Sequence, residues 1–155
     1  MRKILDFARE RGIWVLSDEV YARLVYDSPH EHARSDSFLD VAEDDDLLLV
    51  VNSFSKSWAM TGWRIGWIVG PKEAEAKIKD VALYNNLCPQ TPMQYGAIAA
   101  LDKGEEFLAS QVAMYQSNRD LMMERFAKIG DHIHLAKPEA TFYGFFKVDG
   151  EPDCI

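Results

Sequence analysis

The chain lacks most of what would mark a secreted, membrane-borne or nucleic-acid-binding protein. Only two of its 155 residues are cysteine, Cys88 and Cys154, far apart in sequence. That excludes a disulfide framework. No apolar run approaches the roughly 18 residues that cross a bilayer. The opening Met1-Arg2-Lys3-Ile4-Leu5-Asp6 has no apolar stretch of the kind that drives secretion. A cytoplasmic location is the expectation. Basic residues are in the minority, with 17 Lys and Arg against 25 Asp and Glu and a net charge of -8. Such a balance argues against a surface for nucleic-acid backbones, where Lys and Arg dominate affinity, and against anionic membranes. It leaves room for a small anionic ligand in a locally basic site. No glycine-rich dinucleotide or P-loop fingerprint occurs. His30-x-His32 and His132-x-His134 have no cysteine or acidic set to complete a metal site, so no metal is expected.

What is present reads as an α/β domain. Hydrophobic residues make up 48% of the chain, ordinary for a globular protein, and the length suffices for a real core. Ile4, Leu5, Phe7 and Ala8 at helical spacing predict a helix over residues 2–11, capped by Gly12. Ile13 to Leu16 is short and continuously apolar, as suits a parallel strand covered on both faces. Residues 19–45 are irregular, with one helical turn near 38–41. Glu43-Asp44-Asp45-Asp46 reads as a solvated turn before a second strand, Leu47 to Val51. Residues 65–69 predict a third strand, antiparallel because its link to the second is short, stopped by Gly70-Pro71. Helices follow over 72–84 and 93–101, around a loop at 85–92 that could approach a partner. The longest helical pattern runs over 105–129, with Gly130 at its end. Residues 132–135 and 143–148 then alternate like paired strands.

The stretch Ser53-Phe54-Ser55-Lys56-Ser57-Trp58-Ala59-Met60-Thr61-Gly62-Trp63-Arg64-Ile65-Gly66 carries the chemistry. Two hydroxyls precede Lys56 and an arginine follows it by eight residues. Such a set can hold an anionic carbonyl compound, with the amine condensing with the carbonyl while hydroxyl and guanidinium grip a phosphate. If the first two strands are parallel neighbours, Asp18 and Ser53 lie side by side at their carboxyl ends, the edge where open α/β sheets bind ligands.

This pattern, Ser53-x-Ser55-Lys56 followed by Gly62-x-Arg64-x-Gly66, with Ser17-Asp18-Glu19-Val20-Tyr21 upstream, resembles the fold-type I pyridoxal-phosphate enzymes, the class I/II aminotransferases in particular. The resemblance implies that Lys56 is the catalytic residue, forming a Schiff base with pyridoxal 5'-phosphate and afterwards moving a proton at the substrate's α-carbon. Asp18 would keep the pyridine nitrogen protonated. Tyr21 would donate to the ring oxygen, and Ser53 and Arg64 would hold the phosphate. Ser55 would either join that grip or only shape the turn. Each residue also has an ordinary reading. Lys56 could be a surface lysine, Asp18 a turn aspartate, Tyr21 a half-buried aromatic, Ser53 a turn serine and Arg64 one half of a surface ion pair. Trp58, Trp63 and Trp67 read as packing residues, and Gly62 and Gly66 as points of backbone bending or close approach.

The resemblance also implies an architecture. Residues 1–120 would be the C-terminal half of a large cofactor domain, with three strands of a mostly parallel sheet. Residues 121–155 would begin a small α+β domain, and the helix near 105–129 would join the two. The family's glycine-containing phosphate loop, ring-stacking aromatic and substrate-carboxylate arginine have no counterparts here. The expectation is therefore a part of an aminotransferase, weakly active alone, whose full-length parent is a homodimer acting on an amino acid and a 2-oxo acid. The competing expectations are a β-lyase or a cyclopropane-forming (ACC-synthase-like) enzyme of the same fold, and a non-catalytic interaction protein that binds no cofactor.

Overall fold

The structure, a computed structural model, describes residues 1–28 and 33–150. Helix α1 spans Arg2–Arg11 and ends at Gly12, whose φ of 60° is left-handed and whose N–H turns back to the carbonyls of Ala8 and Arg9. Glycine reaches that conformation without the penalty a Cβ brings. Strand β1 is Val15–Asp18, two residues later than the apolar run suggests. A turn of 3-10 helix at Phe38–Asp40 precedes β2, Leu48–Ser53. A single-turn helix, α2, covers Phe54–Ser57. Strand β3, Gly66–Val69, follows, then α3 (Glu75–Asn86), α4 (Thr91–Lys103) and the 22-residue α5 (Glu105–Phe126). Strands β4 (Ile133–Leu135) and β5 (Phe146–Val148) close the described chain.

The first sheet is mixed, in the order β1-β2-β3. Strand β1 runs parallel to β2, with Asp18 opposite Val51. Strand β3 is antiparallel to β2, with Ser53 opposite Gly66. The second sheet pairs β4 with β5, antiparallel. Gly66 is needed for close approach, because a Cβ there would stand 2.4 Å from the Asn52 carbonyl oxygen. Gly62 has no such constraint. The bend in that loop falls instead on Ala59 and Arg64, both at left-handed φ.

Two apolar clusters hold these pieces. Leu5 of α1 packs on Leu48 and Val50 of β2, with Val15, Phe38 and Val41 around them. Phe54, Trp58 and Met60 pack against Ala97 of α4. The expectation that β1 is covered on both faces fails: Leu16 is 67% exposed, because α1 covers only one side and no described element covers the other. Within α1 the apolar stripe is narrower than predicted. Leu5 and Ala8 are buried, while Ile4 and Phe7 stand in solvent.

Three further expectations are corrected. Asp46 is no solvated turn residue but is 6% exposed. Arg9 reaches it from α1 through two hydrogen bonds, Nε to Oδ1 at 2.6 Å and Nη2 to Oδ2 at 2.7 Å. Helix α5 ends at Phe126, short of the expected 105–129, and its buried residues are Leu108 and Arg119, the other apolar side chains being half-buried or exposed. Residues 143–145 do not join β5. Gly144 lies against α5, where a Cβ would stand 2.7 Å from Met122 Sδ, and Tyr143 ahead of it meets Tyr21, three residues past the end of β1.

Candidate active site

Ser53 ends β2 and caps α2. Its Oγ accepts from the Ser55 N–H at 3.0 Å and lies 2.9 Å from Ser55 Oγ and 3.2 Å from the Ile65 carbonyl oxygen. The same Ile65 carbonyl accepts from the Phe54 N–H at 3.2 Å. These bonds tie the end of β2 to the residue after Arg64, so Ser53, Ser55 and Arg64 belong to one turn system. Ser55 is buried within it. Arg64 is exposed, and its Nη1 donates to the Thr61 carbonyl oxygen at 3.0 Å.

Lys56 projects from α2, half-buried, toward two aromatic rings. Its Nζ is 5.7 Å from the centroid of Tyr21 and 6.0 Å from that of Phe142, within the range at which a ring face attracts a cation. Asp18 sits at the end of β1, where its Oδ1 accepts from the Val20 N–H at 3.2 Å. The next residue is anchored to β2 by the Glu19 N–H, bonded to the Val51 carbonyl at 2.9 Å. Asp18 and Tyr21 line a hollow of about 270 Å³ together with Ser17, Glu19, Ser35 and Thr141; Lys56 and Arg64 are not among its lining residues. Tyr21 is therefore the residue common to Asp18 on one side and Lys56 on the other.

Tyr21 has a partner that the sequence did not disclose. Its hydroxyl is 2.5 Å from that of Tyr143, and the two rings meet edge to face. This hydrogen bond, with burial and the nearby Asp18 charge, pushes the Tyr21 phenol up to about 12. Phe142 meets Tyr21 edge-on as well, at 5.7 Å between centroids. The available signal was the density of aromatics in Phe142-Tyr143-Gly144-Phe145-Phe146, more than one face of a short strand can bury. Of the tryptophans, Trp58 is buried with its ring 5.1 Å from that of Phe54, and its indole N–H has no partner among the described residues. Among the described residues no group of three or more His, Cys, Asp or Glu is placed to share a metal ion. His30 and His32 lie outside them.

Lys56, Arg64 and Asp18 share one electrostatic property. Among the described residues none forms an ion pair, although Arg9, Arg23, Arg34 and Arg119 all do. Two uncompensated cations and one uncompensated carboxylate suit a ligand that brings an anionic phosphate and a cationic ring nitrogen.

Comparison with known proteins decides the family. Residues 1–153 match the family aminotransferase class I and II. The chain belongs to this aminotransferase family. It is 32% identical over 148 residues to an aspartate aminotransferase of Thermotoga maritima, a match covering 96% of this chain and 37% of that protein. An LL-diaminopimelate aminotransferase of Moorella thermoacetica is 36% identical over 148 residues, covering 92% of this chain and 35% of the relative. The crystal structure of the Thermotoga maritima aspartate aminotransferase superimposes with a TM-score of 0.82 at 32% identity, over 96% of this chain and 37% of that one. The chain thus spans little more than a third of the length of these relatives. Aminotransferases of this family generally depend on pyridoxal phosphate. Among the described residues no helix is long and apolar enough to cross a membrane.

Proposed function

We propose that the chain carries the lysine-bearing wall of a pyridoxal-phosphate site and takes part in amino-group transfer between an amino acid and a 2-oxo acid. The observation that carries this reading is the placing of Lys56: an amine with no counter-ion among the described residues, half-buried, 5.7 Å from the ring of the tyrosine that neighbours Asp18. In this reading the Lys56 amine would hold the cofactor's aldehyde carbon, and the Asp18 carboxylate would favour the protonated form of its ring nitrogen. Tyr21 donates toward the ring oxygen. Arg64 and Ser53 hold the phosphate, and Ser55 fixes the Ser53 hydroxyl. The cofactor, once bound, supplies the electron-withdrawing ring that acidifies a substrate's α-carbon. The Lys56 amine would be the base that takes the proton from that carbon.

Residues 1–120 are assigned to a large cofactor domain and 121–155 to the start of a small one, with α5 as the join. A homodimer and a cytoplasmic location complete the proposal. The aminotransferase names of the relatives favour transamination over a β-lyase or a cyclopropane-forming synthase, while Lys56 and Arg64, which form no ion pair among the described residues, favour a cofactor-binding role over a purely structural one.

The test is spectroscopic. Pyridoxal phosphate added to the chain should show the absorbance shift of a lysine-bound aldehyde, and Lys56→Ala should abolish it while leaving the melt unchanged. An identical spectrum in Lys56→Ala would refute the assignment.

A further inference from the structure

Arg119 is the one arginine buried in this chain among the described residues, at 6% exposure, and nothing in the site described above accounts for it. A guanidinium is taken out of water only where its donors and its face are used. Here they are. Its Nε and Nη2 meet Asp120 at 2.9 and 2.8 Å, its Nη1 donates to the Pro138 carbonyl at 3.4 Å, and its Cζ lies 4.7 Å from the Tyr26 ring centroid. Tyr26 is buried in turn. Its hydroxyl donates to the Thr141 carbonyl, and its N–H donates to the Glu139 carbonyl at 3.0 Å. Thr141 N–H donates to the Leu24 carbonyl at 2.7 Å, and Val25 bridges Ala140. A short antiparallel clasp therefore joins residues 24–26 to residues 139–141.

The clasp holds a strained residue. Thr141 has φ of 64°, a left-handed conformation that a β-branched side chain adopts only when its surroundings enforce it. That turn aims the next two residues at the site. The Tyr143 hydroxyl reaches Tyr21, and Phe142 stands against both Tyr21 and Lys56 Nζ. Thr141 also walls two hollows, one shared with Asp18 and Tyr21 and one of about 180 Å³ shared with Tyr26, Arg119, Phe142 and Tyr143.

We propose that Arg119 and Tyr26 are positioning residues that set the Lys56 site from a distance, by clasping residues 138–141 so that Phe142 and Tyr143 bear on Tyr21 and Lys56. As a statement about the reaction, this rests on the reading of Lys56 as the cofactor lysine. As a statement about the chain it does not. The clasp carries the influence of α5 to the end of β1. It also makes Tyr143 the residue that fixes the direction of the Tyr21 hydroxyl.

The test follows the Tyr21 phenol in the chain without added cofactor, by NMR of ring-labelled tyrosine, where Tyr21 is assigned by its loss in Tyr21→Phe. Asp18, Lys56 and Tyr143 are the ionisable groups facing it. In the unaltered chain it should titrate near 12. Tyr143→Phe removes its partner directly and should bring the midpoint toward the ordinary value of about 10. Tyr26→Phe leaves Tyr143 in place but frees Thr141, and should produce most of the same fall. Arg119→Met should do likewise, and Arg119→Lys should restore part of it. A merely structural role would lower the melting temperature without moving this midpoint. The proposal is overturned if folded Tyr26→Phe and Arg119→Met both keep the unaltered midpoint while Tyr143→Phe shifts it. Should Tyr26→Phe not fold, the Arg119 pair decides alone. In parallel, each variant is mixed with pyridoxal phosphate and reduced with borohydride. An unaltered chain that forms no adduct at Lys56 sinks the cofactor reading, and the titration still decides the clasp.

Discussion

Replacing Gly96 by alanine tests how Arg64 is held. Gly96 lies in α4 beneath the Trp63 ring, and an added Cβ would stand 2.1 Å from Cζ3 and 2.9 Å from Cε3 and Cη2. Ordinary carbon–carbon contact begins near 3.5 Å, so the ring must retreat by roughly 1.4 Å. Two effects on stability oppose each other. Alanine in a helix interior gains about 0.5–1 kcal/mol over glycine, while overpacking costs about 1–3 kcal/mol. Trp63 is 42% exposed and can swing outward, which puts the cost at the low end. The net change should stay within about 1–2 kcal/mol, a shift of a few degrees in the melt. Function should respond more strongly. Trp63 and Arg64 share a turn, in which the Trp63 N–H donates to the Met60 carbonyl at 3.1 Å and the Arg64 guanidinium to the Thr61 carbonyl at 3.0 Å. A displaced ring moves that turn. A hydrogen bond from a charged donor is worth about 1.5–3 kcal/mol, so full loss would weaken phosphate binding by about 10- to 150-fold. Partial misplacement should cost at least about threefold. The assay is a pyridoxal-phosphate titration by absorbance beside a thermal melt. Cofactor affinity equal to that of the unaltered chain, with the substitution confirmed, would refute the coupling of Trp63 to Arg64.

Other perturbations address the scaffold. Leu5→Ala empties a site that is 2% exposed between α1 and β2, and should destabilise by about 2–5 kcal/mol in urea unfolding. A loss under about 1 kcal/mol would mean that α1 does not hold the sheet. Gly12→Ala forces a Cβ into φ of 60° and should cost about 1 kcal/mol, read as a lower denaturant midpoint at unchanged slope. The Asp46 carboxyl is held below its ordinary value, first by its hydrogen bonds to Arg9. Above the unfolded value, near 4, the pair therefore contributes its full stability, which is lost as pH falls through the lower folded value. Asp46→Asn should flatten the acid side of a stability-versus-pH curve below about pH 4 while lowering stability at neutrality. An unchanged acid limb would show that the pair contributes nothing.

Much of the fold was legible because its signals are local. The α1 stripe with Gly12, the two apolar strands and the short link that makes β3 antiparallel depend on neighbouring residues. Burial was less legible because it depends on what else is there. Leu16 has the composition of a covered residue and no described element over it. Asp46 sits in an acidic run yet is buried, because Arg9 lies 37 positions away in sequence and faces it across a helix–turn contact. Of the candidate site, the order of residues in the lysine segment announced the turn that ties Ser53 and Ser55 to the residue after Arg64, and the apolar run before Asp18 announced its place at a strand end. Tyr143 was not, since it reaches Tyr21 across 122 positions through a turn at Thr141 that no glycine announces. Arg119 was missed for a related reason: helical periodicity marks apolar faces, and a buried guanidinium breaks that pattern.

Everything proposed for the site depends on the Lys56 amine being the point at which pyridoxal phosphate becomes attached. Borohydride reduction of the chain mixed with the cofactor, followed by proteolysis and mass spectrometry, tests it most directly. A single dominant pyridoxyl adduct is expected on the peptide carrying Lys56, suppressed when Arg64 is replaced by alanine. Adducts spread evenly over surface lysines such as Lys79 and Lys128, with Lys56 unmodified, would contradict it.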